Sequence, residues 1–212
     1  NPMSNAAGIL ERVGAVRQGH FVLASGNHSP TYVNKDAIYT RPLWTDTLAC
    51  EIAEVCGEWR PDVVLGPVIG GALLAQWVTY RLSLPLHVYK WFDPNRTILA
   101  AYADRGVGKF FVLKRGYGEL VNGKRVLVVE DVITTGASAV GVVGAVRRCG
   151  GSVVGVAAIV NRTCKSTADL AIGMDISVVH CLLDMDIPMW PVADCPLCKQ
   201  GVSISTNLGK GL

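Results

Sequence analysis

The chain has 212 residues, half of them hydrophobic, and its 20 basic and 17 acidic side chains leave a net charge of +3. Such a length and apolar share suffice for one sizeable core, so a single domain over residues 1–212 is expected. The charge is too mild and too dispersed for nucleic-acid binding, and no apolar run approaches the ~18 residues of a membrane span.

Residues 4–18 read as an amphipathic helix, with Ile9, Leu10, Val13 and Val16 spaced for one apolar face. The stretch from Gly19 to Pro30 is β-like but broken by turn residues, and residues 43–58 form a second helix. Val63–Leu65 is a short buried strand, and Gly66-Pro-Val-Ile-Gly-Gly71 is a glycine-rich loop opening a helix over 72–82. Strand-like segments follow at 86–91 and 98–103, then a glycine-rich stretch and Phe110–Lys114. Val126–Val129 has the length and β-branched composition of a strand buried on both faces. A small-residue helix over 137–149, a strand Val153–Val160 and a last strand Ile176–Leu183 complete the chain. Strands alternating with helices predict an α/β fold, a Rossmann-like, mostly parallel sheet with helices on both faces.

Val126-Leu-Val-Val-Glu-Asp-Val-Ile-Thr-Thr-Gly-Ala-Ser138 carries the chemistry. Gly136 permits a tight turn, and Thr134, Thr135 and Ser138 bring hydroxyls beside the free N–H groups that open the next helix. Unpaired donors and the helix dipole both favour a phosphate there. Glu130 and Asp131 repel that phosphate but suit a polyol held beside it, accepting hydrogen bonds from neighbouring hydroxyls. Two adjacent acids at a parallel strand's carboxyl end are costly without a ligand, and that edge is where open α/β sheets bind ligands. The pattern reads as a ribose-5-phosphate cradle.

Elsewhere the residue types leave more open. Glycines in Gly66–Gly71 let backbone N–H groups approach a diphosphate, and equally make a tight strand–helix turn. Arg162, just past a buried strand, offers a planar fork for a carboxylate, or a surface salt bridge. Ser25, Tyr32 and Val33 offer backbone polar groups and a flat ring to a heterocycle, or a packed edge strand. The seven cysteines are odd in number and scattered, which favours reduced thiols in a cytoplasmic setting; no secretory leader is evident. Cys195-Pro-Leu-Cys198 is a lone CxxC. Zinc would want a second ligand pair, and along the chain only His180 and Cys181 lie near, so a structural turn is the expectation.

Residues 126–138 resemble the phosphoribosyl pyrophosphate (PRPP) signature of the type I phosphoribosyltransferases. His20–Lys35 is similar to the N-terminal hood of the orotate-specific members, Gly66–Gly71 to their pyrophosphate loop, and Asn161-Arg162 to their orotate-contacting arginine. Cys195–Val202 resembles a C-terminal stretch of one branch. The resemblance implies a hood built from about 19–40 and 184–205. It implies that Glu130 and Asp131 hold the ribose hydroxyls, that Val132 and Ile133 bind PRPP beside them, that Thr134, Thr135, Gly136, Ala137 and Ser138 wrap the 5′-phosphate, and that Gly70 and Gly71 face the diphosphate. Thr134, Arg162, Ser25, Tyr32 and Val33 would contact orotate. A mobile catalytic loop over about 102–112 would carry Arg105 and Lys109, which act with Asp131 in catalysis. Mg²⁺ would travel on PRPP with no dedicated protein ligands, and a homodimer with shared active sites is implied, with no nucleic-acid or membrane partner. The activity implied is transfer of ribose 5-phosphate from PRPP to orotate. A salvage enzyme for another base and a non-catalytic PRPP-binding regulator are the competing readings. Two lysines common in the family are replaced here by Ala24 and Gly70.

Overall fold

Gly14 ends the first helix. Helix α1 (Ala6–Arg12) closes with the Ala15 N–H donating to the Leu10 carbonyl at 2.8 Å and the Gly14 N–H to that of Glu11 at 2.9 Å. This pairing needs a left-handed residue at Gly14, whose φ is +66°. The expected helix over 4–18 is therefore shorter, and Val16 opens strand β1 (Val16–Val22), which pairs antiparallel with β2 (His28–Val33). The computed structural model describes residues 5–23, 25–84, 93, 95–108 and 110–206; the strand expected at 86–91, Lys109 and Ala24 lie outside them.

The rest alternates as anticipated. Helices α2 (Asp36–Tyr39) and α3 (Pro42–Cys56) precede β3 (Val63–Pro67), α4 (Gly70–Ser83), β4 (Leu99–Arg105) and β5 (Phe111–Val112). Then come α5 (Tyr117–Val121), β6 (Arg125–Ile133), α6 (Ala137–Arg148), β7 (Ser152–Asn161), α7 (Thr167–Met174), β8 (Val179–Asp184) and the single turn α8 (Pro196–Lys199). Pro42 at the start of α3 suits a position with no N–H to satisfy. Helix α7 escaped the sequence reading, although Ser166 caps it by accepting from the Asp169 N–H at 3.1 Å.

Six strands make the main sheet in the order β5-β4-β3-β6-β7-β8, all parallel except β5. Alternate residues feed two cores. Val64, Leu127, Val129, Ala157 and Ile159 pack under α1, α3 and α4, while Leu65, Val126, Val128, Val156 and Ala158 pack under α6 and α7. Burial on both faces explains the unbroken apolar runs.

Two features position a site. The chain leaves β3 for β4 on one side and later returns to β6 on the other, so the strand order reverses between β3 and β6. A crevice opens at the carboxyl ends of such strands. Strand β6 also runs four residues beyond the expected end at Val129: β3 stops pairing with it at Val128, while β7 pairs with it to Ile133. Glu130 and Asp131 therefore lie within a strand whose one side has just been vacated by β3.

The segment resembling a mobile catalytic loop, about 102–112, runs between strands β4 and β5, which match the strand-like segments expected at 98–103 and Phe110–Lys114. Asp104 and Arg105 pair with Val112 and Phe111, and the Gly106 N–H donates to the Phe110 carbonyl at 2.8 Å. Arg105 lies over the Phe111 ring, 5.6 Å from its centroid.

Candidate active site

The acidic pair sits at the floor of the crevice. Glu130 is 6% and Asp131 1% exposed. Asp131 Oδ1 accepts from the Val132 N–H at 2.7 Å and from Lys35 Nζ at 3.2 Å. Oδ2 lies 3.1 Å from the same ammonium but accepts no hydrogen bond from the described residues. Burial, then the neighbouring Asp131 charge, pushes the Glu130 carboxyl up to about 8, with Lys35 opposing. Without a ligand, Glu130 resists ionising beside the Asp131 charge, because two buried carboxylates this close disfavour joint ionisation. Lys35 itself is raised: burial disfavours its charge, and Asp131 outweighs burial. The sequence reading did not single out Lys35; its signal was a lone cation where the β2 strand runs into α2.

Gly66–Gly71 passes directly over the pair. A Cβ on Gly70 would overlap Asp131 Oδ2, and one on Gly71 would meet Pro67 Cδ and the Val129 carbonyl. Tyr39 Oη donates to the Gly70 carbonyl at 2.8 Å, fixing this approach. Burial, reinforced by Asp131 and Glu130, raises the Tyr39 hydroxyl's pKa, so it stays a donor. A lysine at position 70 has no room in this backbone. Lys35 brings a cation to the same acids from the other side.

Residues 132–139 and Glu130 line one pocket at the start of α6. Gly136 turns it with φ +81°, and the Ala137 N–H donates to Thr135 Oγ1 at 3.3 Å. Thr134 and Thr135 are exposed and Ser138 partly so, whereas Ile133 is buried in the core. Val132 and Ile133 therefore enter the pocket by backbone, and the Val132 N–H is already engaged by Asp131.

Arg162 closes the far side. Its backbone N–H donates to the Ile133 carbonyl at 2.8 Å, holding it beside the hydroxyl loop. Asn161 braces the turn: Nδ2 donates to the Asp184 carboxylate at 2.7 Å and to the Lys165 carbonyl at 2.8 Å, and Oδ1 accepts from the Thr163 N–H at 3.0 Å. Arg162 is 6% exposed, yet its Nε and Nη2 have no partner among the described residues. Desolvation lowers its pKa, with the nearby Tyr32 hydroxyl opposing. A buried fork without an acceptor is costly in the free protein and ready for a carboxylate. Of the hood residues, Tyr32 comes within electrostatic reach of Arg162 and rests on Phe21 at 5.6 Å between ring centroids. Val33 is buried and its carbonyl accepts from the Lys35 N–H at 3.1 Å. Ser25 lies exposed at the hairpin turn, its Oγ 3.4 Å from the Asn27 N–H.

The lone CxxC is not alone. Its neighbours come from the β1–β2 hairpin: Cys198 Sγ is 3.3 Å from His28 Nδ1, and Cys195 Sγ is 3.6 Å from His20 Nε2. The sequence neighbours His180 and Cys181 have no part in this cluster.

A profile of the phosphoribosyl transferase domain matches residues 36–192. The orotate phosphoribosyltransferase of Caldanaerobacter subterraneus subsp. tengcongensis is 35% identical over 196 residues, 92% of each chain. That of Thermotoga maritima is 33% identical over 204 residues, covering 96% of this chain and 97% of the relative. Among solved structures, the Mycobacterium tuberculosis orotate phosphoribosyltransferase in complex with inorganic phosphate superposes with a TM-score of 0.64 at 26% identity, covering 84% of this chain and 93% of that one.

Proposed function

The chain belongs to the orotate phosphoribosyltransferase family, and we propose how its own residues carry that reaction: orotate nitrogen attacks the anomeric carbon of PRPP, pyrophosphate leaves, and orotidine 5′-monophosphate forms. The carrying observation is that, among the described residues, a buried acidic dyad keeps an Asp131 oxygen without a hydrogen bond while Arg162, tied by its backbone to Ile133 of the same loop, keeps two buried donors without a partner.

Glu130 and Asp131 accept from the ribose hydroxyls, and Thr134 to Ser138 hold the 5′-phosphate with hydroxyls and the N–H groups at the start of α6. Gly70 and Gly71 present backbone to the diphosphate. Arg162 grips the orotate carboxylate bidentately while Tyr32 flanks the ring. Thr134 stands between base and phosphate. Holding both reactants removes much of the entropic cost of meeting. Cations aimed at the departing oxygens favour the transition state over the ground state. Arg105 and Lys109 of the 99–112 arm fill that role, and Lys35 is free to add to it once a ligand takes its place on Asp131.

Hard carboxylate oxygens at the dyad, one of them without a hydrogen bond, fit Mg²⁺ that arrives on PRPP with its own water. When bound, the ion supplies charge neutralisation to the diphosphate. The hood of residues 19–40 and 184–205 covers one phosphoribosyltransferase domain. The arm serves a neighbouring subunit's site in a homodimer, a reading supported by its exposed tip residues Val107 and Phe110. Seven cysteines, none of them in a disulfide among the described residues, agree with a reducing, cytoplasmic setting, and among those residues no helix is long and apolar enough to cross a membrane.

A purine or uracil salvage role is disfavoured by Arg162, whose charge a neutral base leaves unpaired. Orotate consumption with PRPP and Mg²⁺, run against a panel of bases, tests the proposal. Turnover of another base in preference to orotate would overturn it, and no turnover of any base would leave a regulator.

A further inference from the structure

Strand β1 carries a bulge between Gln18 and Phe21, where two of its residues oppose one on β2. A bulge re-aims a side chain, and here it turns His20 inward, where it is 1% exposed. His28 faces it from the start of β2, with His20 Nε2 2.8 Å from His28 Nδ1. The turn of α8 places Cys195 and Cys198, three residues apart, on one side of the helix. One ligand atom from each of the four residues lies within 4.8 Å of every other.

From these residues we propose a structural metal site of two imidazoles and two thiolates, with Zn²⁺ as its natural occupant. Three observations carry it. The nitrogen–sulfur separations of 3.3, 3.6 and 3.7 Å scatter around the roughly 3.5 Å edge of a tetrahedron with Zn–N near 2.0–2.1 Å and Zn–S near 2.3 Å. The ligand set is soft and mixed, as zinc prefers over the hard cations that suit the acidic dyad. The outer shell is in place as well: His20 Nδ1 is 2.7 Å from the Val202 carbonyl, which fixes the proton there and leaves Nε2 as a lone-pair donor toward the cluster.

The site has a consequence for the fold. His20 and Cys198 are 178 positions apart, so the ion would close nearly the whole chain. Around it the two segments already touch: His28 exchanges backbone hydrogen bonds with Trp190 at 2.8 and 2.9 Å, and the Ser205 N–H donates to the His20 carbonyl at 2.7 Å. The metal would clamp the C-terminal segment onto the hairpin whose second strand leads to Tyr32 and Lys35. It would act on the site by holding that hairpin, away from the reacting atoms.

Elemental analysis of protein purified without chelators is expected to give one zinc per chain. Exchange to Co²⁺ is expected to give the strong visible absorption of a tetrahedral site and a thiolate charge-transfer band. Cys198→Ser and His28→Ala, checked for native circular dichroism, should lose the metal, whereas Cys164→Ser, an exposed cysteine outside the cluster, should keep it. Stripping the ion should speed amide exchange at residues 16–33 and 190–205 and leave β6 and β7 unchanged. Natively folded wild-type protein with neither bound metal nor a tetrahedral Co²⁺ spectrum would overturn the proposal. So would stoichiometric metal that survives both Cys198→Ser and His28→Ala. Should these variants not fold, the wild-type metal content and cobalt spectrum decide by themselves.

Discussion

Replacing Arg162 with methionine separates binding from stability. The fork is buried, its Nε and Nη2 have no partner among the described residues, and desolvation already disfavours its charge. Each buried donor left unmade costs about 1–3 kcal/mol. Arg162→Met keeps an unbranched chain of similar length and removes both donors, so the ligand-free protein is expected to gain stability. Relaxation of the 162–166 turn reduces that gain to about 1–3 kcal/mol, or roughly 2–12 °C in Tm for a chain of this size. Orotate binding should move the other way. Losing two charge-assisted hydrogen bonds at about 1.5–3 kcal/mol each, less any overlap between them, removes about 3–4 kcal/mol, or roughly 10²–10³-fold in kcat/KM for orotate. PRPP affinity should stay within about twofold, because the phosphate loop and the dyad keep their own bonds. Discrimination against uracil should collapse, since the carboxylate is what uracil lacks. Differential scanning fluorimetry without ligand, calorimetry with PRPP and an absorbance assay of orotate consumption read the three effects. A variant that melts lower, and loses PRPP and orotate equally, would show that Arg162 is a structural residue.

Asp131→Asn is expected to weaken PRPP binding by about 1.5–3 kcal/mol, with ligand-free Tm unchanged or higher; normal PRPP affinity by calorimetry would sink the ribose assignment. Glu130 sets a pH dependence: its folded pKa lies above its unfolded value, so its stabilisation is full below about 4.5 and is lost as pH rises to about 8. Urea melts of ligand-free protein should therefore show a fall of at most about 3 kcal/mol between pH 6 and 8, flattened in Glu130→Gln; an equal slope in both proteins would place the titration elsewhere. Arg105→Ala should cut kcat far more than PRPP affinity. Mixed with Asp131→Asn under subunit exchange, it should regain activity through hybrid dimers with one intact composite site, and mixtures as inactive as either parent would confine the arm to its own subunit.

The cradle was legible because its parts are contiguous. A β-branched run, two acids, hydroxyls and a glycine in 13 consecutive residues, 126–138, leave little for distant contacts to decide, and the alternation of strands and helices followed from hydrophobic pattern. Boundaries were less so. Pattern alone did not show that Gly14 would close α1 early, nor that β7 would carry β6 on to Ile133 after β3 had left it. The 102–112 arm was legible as strand-like ends around a glycine-rich stretch, but not the pairing of Arg105 with Phe111, which is a cross-strand matter. Residue types by themselves pointed to one parallel-strand edge as the place for a phosphorylated polyol. Only the folded chain decided what faces that edge, namely Lys35 on Asp131, Gly70 pressed against the same carboxylate and Arg162 buried without an acceptor among the described residues, and, away from it, that two histidines close on a CxxC. Each is a meeting of segments far apart in sequence, and no local propensity encodes the distance between them; the sheet order and the packing of two cores do.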